Sequence, residues 1–80
     1  MALKVHIISP DKVLYEGEAE YVLTPSVHGT LGFLPGHTPL FAELLKGDIT
    51  IHKEKEEIVA IESGIVHVLN DELTALVIVS

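Results

Sequence analysis

The chain has 80 residues, which is the size of one small domain. It contains no cysteine, which excludes disulfides and thiolate metal sites. Five lysines, no arginine and twelve acidic residues give a formal net charge of −7, which excludes the basic surface that a nucleic acid or an anionic bilayer requires. No apolar run approaches the roughly 20 residues of a membrane span, and the N-terminus lacks a signal-peptide pattern. We therefore expect a soluble, cytosolic protein.

The apolar composition predicts strands. Apolar residues make up 48% of the chain, but only four residues are aromatic and none is tryptophan. The core must therefore consist of valine, isoleucine and leucine, whose β-branched members pack well on a pleated sheet. Because a chain of this length buries only about 60% of its unfolded surface, its stability is expected to be marginal without a partner.

Short apolar segments separated by turn residues recur along the whole chain, at a spacing of roughly eight to ten residues that is typical of a sandwich or barrel. No apolar period near 3.6 persists for three turns, so a long helix is not expected. We predict an all-β fold, a flattened β-sandwich or barrel of about ten short strands. The predicted strands are residues 3–8, 12–15, 18–23, 30–34, 40–45, 48–53, 58–61, 65–69 and 72–79.

Alternation of side chains predicts the faces of two strands. In residues 18–23 the even-numbered residues are expected on one face and the odd-numbered residues on the other. This strand is expected to end at residues 24–26. In residues 48–53 the isoleucines are expected to share one face, and residues 53–57 to form a hairpin tip. Pro35 and Gly36 predict a type II turn, because glycine accepts positive φ at its third position at low cost.

The residues do not form a recognisable catalytic or metal site. The histidines are scattered and show none of the close spacing that is common in zinc sites. Neither a Gly-x-Ser-x-Gly motif nor a phosphate-binding loop with its lysine is present. We expect a protein that is not an enzyme, that has no metal or cofactor, and that acts by binding other proteins. The histidines are His6, His28, His37, His52 and His67.

Residues 28–40 stand out because they combine three glycines and two prolines with several apolar residues. Proline fixes φ and removes an amide donor, so the segment is stiff and does not continue a sheet smoothly. Rigid loops of this kind are common places for contacts with a partner. The segment is therefore the first candidate for a binding surface.

This segment resembles the signature of the epsilon subunit of bacterial ATP synthases, called delta in mitochondria. The signature reads Gly-x-Leu-Gly, two apolar residues, then Pro-Gly-His-x-Pro-Leu. Residues 5–17, 46–51, 63–68 and 73–77 resemble further segments of the family in the same order, so the resemblance covers essentially the whole chain. The matching signature positions are Gly29, Leu31, Gly32, Pro35, Gly36, His37, Pro39 and Leu40.

The resemblance implies the N-terminal β-sandwich domain of a non-catalytic rotor subunit in the central stalk. Such a subunit links the gamma subunit to the membrane c-ring and so couples proton or sodium flow to ATP synthesis. Its partners would be gamma and the c-ring, with no nucleic acid and no direct membrane insertion. Its location would be the cytoplasmic face of the bacterial plasma membrane, as a peripheral subunit.

The resemblance also implies roles for individual residues. The chain departs from the family at three positions: Thr30 stands where the family often has an acid, Ile65 where it usually has glycine, and His67 where it commonly has glutamate. Pro35 and Gly36 would form the turn between the two contact regions. The positions implied to face the c-ring are Gly29, Thr30, Leu31 and His37. The positions implied to face gamma are Thr38, Pro39, Leu40, Phe41 and Leu44.

Many family members continue into two regulatory helices. The sequence ends just after the last predicted strand, so we expect a single domain over residues 1–80 without that C-terminal helical hairpin, and no ATP binding. One alternative is a lipoyl or biotinyl carrier domain, which is also small, acidic and all-β. Its modified lysine lies mid-chain, however, whereas Lys12 lies near the N-terminus.

Overall fold

Nine β-strands make up the regular structure of residues 2–36 and 39–79, which are the residues described by a computed structural model. No helix in these two ranges is long and apolar enough to cross a membrane. The strands are β1 (Leu3–Ile8), β2 (Val13–Ala19), β3 (Tyr21–Ser26), β4 (Gly29–Phe33), β5 (Leu40–Leu44), β6 (Gly47–His52), β7 (Glu56–Ile61), β8 (Ser63–Leu69) and β9 (Glu72–Ile78).

The strands form one sheet in the order β2-β1-β9-β8-β5-β3-β6-β7, with β4 paired to β3. The pairing of β1 with β9 is parallel, and the other pairs are antiparallel. The sheet folds back on itself into a nearly closed, flattened barrel, with extents of 33 × 24 × 19 Å. The all-β prediction is confirmed, with nine strands in the described residues where about ten were expected.

The core is the inner face of this barrel. On β1, Leu3, Val5 and Ile7 are fully buried, as are Leu73 and Val77 on β9. The alternate residues of these strands are partly or fully exposed, as expected for a sheet with one face packed on the core and one in solvent. The buried side chains are aliphatic apart from Phe33, Thr24 and Ser26, which confirms the expected Val, Ile and Leu core.

The prediction for residues 18–23 was wrong. The chain breaks its strand at Glu20, whose backbone N–H donates to the His52 carbonyl at 2.7 Å. This break resets the alternation, so Ala19 and Val22 are both buried although they were assigned to opposite faces. The predicted stop at residues 24–26 was also wrong, because β3 continues to Ser26.

Pro25 is tolerated inside β3 because its missing N–H would point away from β4, the strand with which β3 forms its longest ladder. Its carbonyl accepts a hydrogen bond from Leu45 N at 2.8 Å, just beyond β5. Since the N–H and C=O of one residue point to the same side of a strand, the absent donor lies on the β5 side. The ladder between β3 and β4 therefore remains continuous from Val22 to Ser26.

The structure confirms which side chains of residues 48–53 share a face of the strand. Ile49 and Ile51 are buried on β6, and Thr50 and His52 are half-buried on the outer side. The hairpin tip is shorter than predicted, because Glu56 already pairs with His52 and belongs to β7.

The two end strands of the sheet order, β2 and β7, approach each other at a seam. Tyr15 of β2 and Glu57 of β7 line the same cavity of about 320 Å³. The Tyr15 hydroxyl donates to the Glu18 carbonyl at 3.0 Å. Burial raises the pKa of Tyr15 above its usual 10.0, and the negative charge of Glu57 raises it further. The seam therefore favours the neutral phenol.

We expect this seam to weaken at alkaline pH. A folded-state pKa above the unfolded value means that the stabilisation is complete below about pH 10 and is lost as the pH rises through the folded-state pKa. The urea midpoint of the native chain should fall in that range, and Tyr15→Phe should remove this component. Tyr21→Phe, which leaves Tyr15 in place, should show the same fall of the urea midpoint at alkaline pH as the native chain. Parallel losses in the native chain and Tyr15→Phe would contradict this assignment.

Gly64 lies where β8 approaches β9 too closely for a side chain. A Cβ added there would lie 2.7 Å from the backbone oxygen of Leu76 and 2.9 Å from Val77 Cγ1. We expect Gly64→Ala to lower the free energy of unfolding by about 1–3 kcal/mol, as overpacking does elsewhere. Urea unfolding measures this change.

Gly32→Ala is the matched control for Gly64→Ala. Its Cβ would lie 3.3 Å from Leu23 Cδ2, the end of a flexible and exposed side chain. It should therefore cost less than Gly64→Ala. Equal losses in the two variants would show that the close approach of β8 and β9 is not what constrains position 64.

Candidate functional site

The tip of the β3–β4 hairpin is defined by the buried hydroxyl of Ser26. This oxygen donates to the Gly29 carbonyl at 2.6 Å and accepts from His28 N at 3.1 Å. Gly29 has φ +103, a conformation that glycine adopts without a steric penalty. These contacts present Val27 and His28 to solvent at a fixed tip.

The positions predicted to face the c-ring differ in their exposure. Gly29 and Thr30 are exposed beside the hairpin tip, whereas Leu31 is half-buried and packs against the core. The fourth position, His37, lies outside the described residues. The hairpin tip therefore offers a small polar surface, with Leu31 behind it as support.

The predicted turn at Pro35 and Gly36 has the expected backbone at its third position, since Gly36 has φ +84. The Gly36 N–H donates to Asp71 Oδ1 at 2.5 Å. Asp71 and Asn70 connect β8 to β9 with φ of +61 and +51, as a type I′ turn requires. The predicted strand bounds left residues 70–71 as a connection, but sequence reasoning missed this contact, because nothing local relates positions 35 residues apart.

The hairpin tip and the Pro35–Gly36 turn lie at opposite ends of the barrel. Ser26, at the base of the tip, pairs with Leu44, the last residue of β5. Gly36 instead contacts the β8–β9 turn. The first residue of β5, Leu40, lies near the same turn, because it pairs with Val68 close to the end of β8. A five-residue strand is about 15 Å long. The structure therefore does not bring the described c-ring-facing residues next to this turn.

The positions predicted to face gamma divide between the surface and the core. Pro39 is exposed, and Phe41 is 65% exposed on the outer side of β5. Leu40 is half-buried and packs against the core, and Leu44 is 1% exposed within it. Thr38 lies outside the described residues. Alternation along β5 causes this division, because its even-numbered residues point inward.

Phe41 belongs to an exposed apolar face that sequence reasoning did not identify. On the outer side of β8 and β9, Ile65 pairs with Leu76, and Ile78 lies two residues further along β9, paired with Ser63. These three side chains are 38%, 44% and 48% exposed and line a shallow cavity of about 370 Å³. We call Phe41, Ile65, Leu76 and Ile78 the apolar face. Phe41 pairs with His67 and Ile65 pairs with Glu43, so Phe41 lies diagonally across from Ile65 on the same side of the sheet. Exposed large apolar residues clustered on one side of a sheet commonly mark a contact with another protein.

No group of three or more His, Asp or Glu side chains in the described residues is placed to hold a metal ion. Three of the histidine side chains instead contact single residues nearby. His52 stacks on Tyr21 with centroids 4.6 Å apart, and His67 packs at 6.5 Å from Phe41. His6 Nδ1 lies 3.4 Å from the Glu16 carboxylate on the surface.

Comparison with known proteins gives a consistent result. The model of the family described as "ATP synthase, Delta/Epsilon chain, beta-sandwich domain" matches residues 2–79. The ATP synthase epsilon chain of Synechococcus elongatus is 40% identical over 96% of this chain and 57% of its own length. That of Leptospira interrogans is 40% identical over 92% of this chain and 59% of its own length. The chain thus spans a little over half the length of these relatives.

Solved structures share the fold at low sequence identity. A chain in a structure of the Euglena gracilis mitochondrial ATP synthase superposes with a TM-score of 0.90 at 17% identity, covering 96% of this chain and 51% of that chain. A chain in a structure of the Tetrahymena thermophila mitochondrial ATP synthase central stalk and c-ring superposes with a TM-score of 0.81 at 15% identity. The match covers 98% of this chain and 64% of that chain. By its family match and its relatives, this chain belongs to the family of ATP synthase delta/epsilon chain beta-sandwich domains.

Proposed function

We propose that the chain serves as a non-catalytic rotor component of an ATP synthase central stalk, linking the gamma subunit to the membrane c-ring and so coupling proton or sodium flow to ATP synthesis. The observation that carries this proposal is the family match over residues 2–79. Epsilon chains 40% identical to this one support it, as does the barrel shared with a chain from a central stalk and c-ring structure. The carrier-domain alternative has no support from these matches.

The proposed gamma contact is the apolar face together with Pro39. Phe41 is its most exposed large side chain, and Ile65, Leu76 and Ile78 lie further along the same outer side of β8 and β9. Exposed apolar side chains of this size release water when a partner covers them, which is the main source of affinity in many interfaces. Leu40 and Leu44 would contribute by holding β5 against the core. Thr38 remains a prediction.

The proposed c-ring contact is the β3–β4 hairpin tip. Gly29 and Thr30 are exposed there, and the hydrogen bonds of Ser26 hold the tip in one shape. Thr30 would contribute a hydrogen bond where an acidic residue would contribute a charge. His37 remains a prediction for this partner. The tip lies beside the Ile65 part of the apolar face, because Val27 N donates to the Glu43 carbonyl at 3.3 Å and Glu43 pairs with Ile65.

We propose that the chain acts at the cytoplasmic face of the bacterial plasma membrane, reached through the c-ring. The charge of −7 argues against direct contact with an anionic bilayer, so the protein partner would provide the attachment. Cyanobacterial relatives extend the same proposal to the thylakoid membrane.

The proposed gamma contact can be tested with Phe41→Ser. We expect this variant to bind the cognate gamma subunit at least tenfold more weakly, because burying an aromatic side chain contributes about 1.5–3 kcal/mol. Isothermal titration calorimetry with purified gamma measures the affinity. Native chain saturated with gamma should also melt at a higher temperature, since a ligand that binds only the folded state stabilises it.

Ile58→Ser is the matched control. Ile58 is 59% exposed on β7, a strand that does not contribute to the apolar face. It should bind gamma as the native chain does. If Phe41→Ser and Ile58→Ser have equal effects, the apolar face is not the gamma contact. If the native chain binds neither gamma nor the c-ring, the proposed function itself is wrong.

A further inference from the structure

Asp71 connects three parts of the chain at one end of the barrel. Its backbone lies in the β8–β9 turn, and its carbonyl accepts a hydrogen bond from Lys4 N, in β1, at 2.9 Å. Its carboxylate oxygen Oδ1 accepts from Gly36 N, in the connection between β4 and β5, at 2.5 Å. Residues 4, 36 and 71 are thus held together although they are far apart in sequence.

Asp71 has a left-handed backbone conformation that glycine and asparagine adopt at least as readily. Its φ of +61 lies in the left-handed region, as does the φ of +51 at Asn70. Glycine has no steric penalty there, and asparagine tolerates this region at least as well as aspartate. The turn alone therefore does not require a carboxylate at position 71. The contact with Gly36 provides a reason for one.

The bond to Gly36 is of a strong type. An ionised carboxylate that accepts from a backbone N–H forms a charge-assisted hydrogen bond, which is shorter and stronger than a neutral one. Gly36 has φ +84, and its amide N–H points toward the carboxylate in the β8–β9 turn.

The position of Gly36 determines what this bond can influence. Gly36 lies between β4, which ends at Phe33, and the exposed Pro39, which leads into Leu40 and Phe41 of β5. Holding Gly36 against the β8–β9 turn restrains the Pro35–Gly36 turn, which precedes this part of the proposed gamma contact in the chain. A connection restrained before binding loses less conformational freedom when a partner covers it.

We propose that Asp71 is a positioning residue that anchors the Pro35–Gly36 turn to the β8–β9 turn and thereby presents the start of β5 to the partner. The identity of the partner as gamma rests on the proposed function, whereas the anchor does not. Asp71 is not proposed to touch the partner. It acts through the hydrogen bond from Gly36.

Two substitutions separate this role from that of an ordinary turn residue. Asp71→Gly keeps the left-handed backbone and removes the carboxylate. Asp71→Asn keeps the same backbone preference and an oxygen acceptor at the Oδ1 position. An ordinary turn residue would be replaced without loss by glycine. A positioning residue would be rescued by asparagine and not by glycine.

The first measurement is amide hydrogen exchange at Gly36 in the isolated domain, followed by NMR. We expect exchange to be about tenfold faster in Asp71→Gly, because a lost charge-assisted bond removes protection of about that size. Asp71→Asn should lie between Asp71→Gly and the native chain, because its neutral oxygen still accepts a hydrogen bond, although a weaker one. Phe41→Ser should leave this amide unchanged, since its side chain lies on the outer side of β5. This measurement needs no partner.

The second measurement is affinity for the gamma subunit. We expect Asp71→Gly to bind about three- to tenfold more weakly, with most of the affinity restored in Asp71→Asn. Native exchange and native affinity in Asp71→Gly would overturn the proposal. Faster exchange with unchanged affinity would also overturn the positioning role. Faster exchange in Asp71→Gly, in a protein whose native form does not bind gamma, would support the anchor and count against the proposed function.

Discussion

The parallel pairing of β1 with β9 is the contact on which the rest of the barrel depends. It places the first and last strands of the chain side by side, with β2 on one side and β8 on the other. Val5 lies opposite Leu73, and Ile7 lies opposite Ala75, all of them buried. This pairing joins the β1–β2 pair to the rest of the sheet, in which β8, β5, β3, β6 and β7 follow β9 in order. A domain this small cannot lose that buried surface and remain folded.

Alternation along a strand explains how such a small barrel can have both a core and a binding surface. On β5, Leu44 is in the core while Phe41, three residues earlier, is exposed. On β8 and β9 the same period places Val66, Val68 and Val77 inside and Ile65, Leu76 and Ile78 outside. Part of the outer face is therefore apolar without any cost to the core, and a partner can add to the limited buried surface of the domain. Folding and binding use the same period of two.

Several features could be predicted from residues close together in the sequence. Alternation identified the inner face of β6, and the Pro-Gly pair identified the positive φ at Gly36. The prediction failed at residues 18–23, because Glu20 breaks the strand to bond with His52 of β6, more than thirty residues away. A break of this kind leaves no local pattern. The apolar residues on both sides of Glu20 instead suggested one continuous strand.

By itself, the sequence determined the composition of the core, the all-β class, the approximate bounds of most strands, and the family signature at residues 29–40. These depend on local pattern and on residue type. Only the tertiary structure decided that Leu44 is buried while Phe41 is exposed, and that the hairpin tip lies at the opposite end from Gly36. It also brought Asp71 to Gly36. Each of these depends on which strands become neighbours, because pairing across the sheet sets the face and the end on which a residue lies.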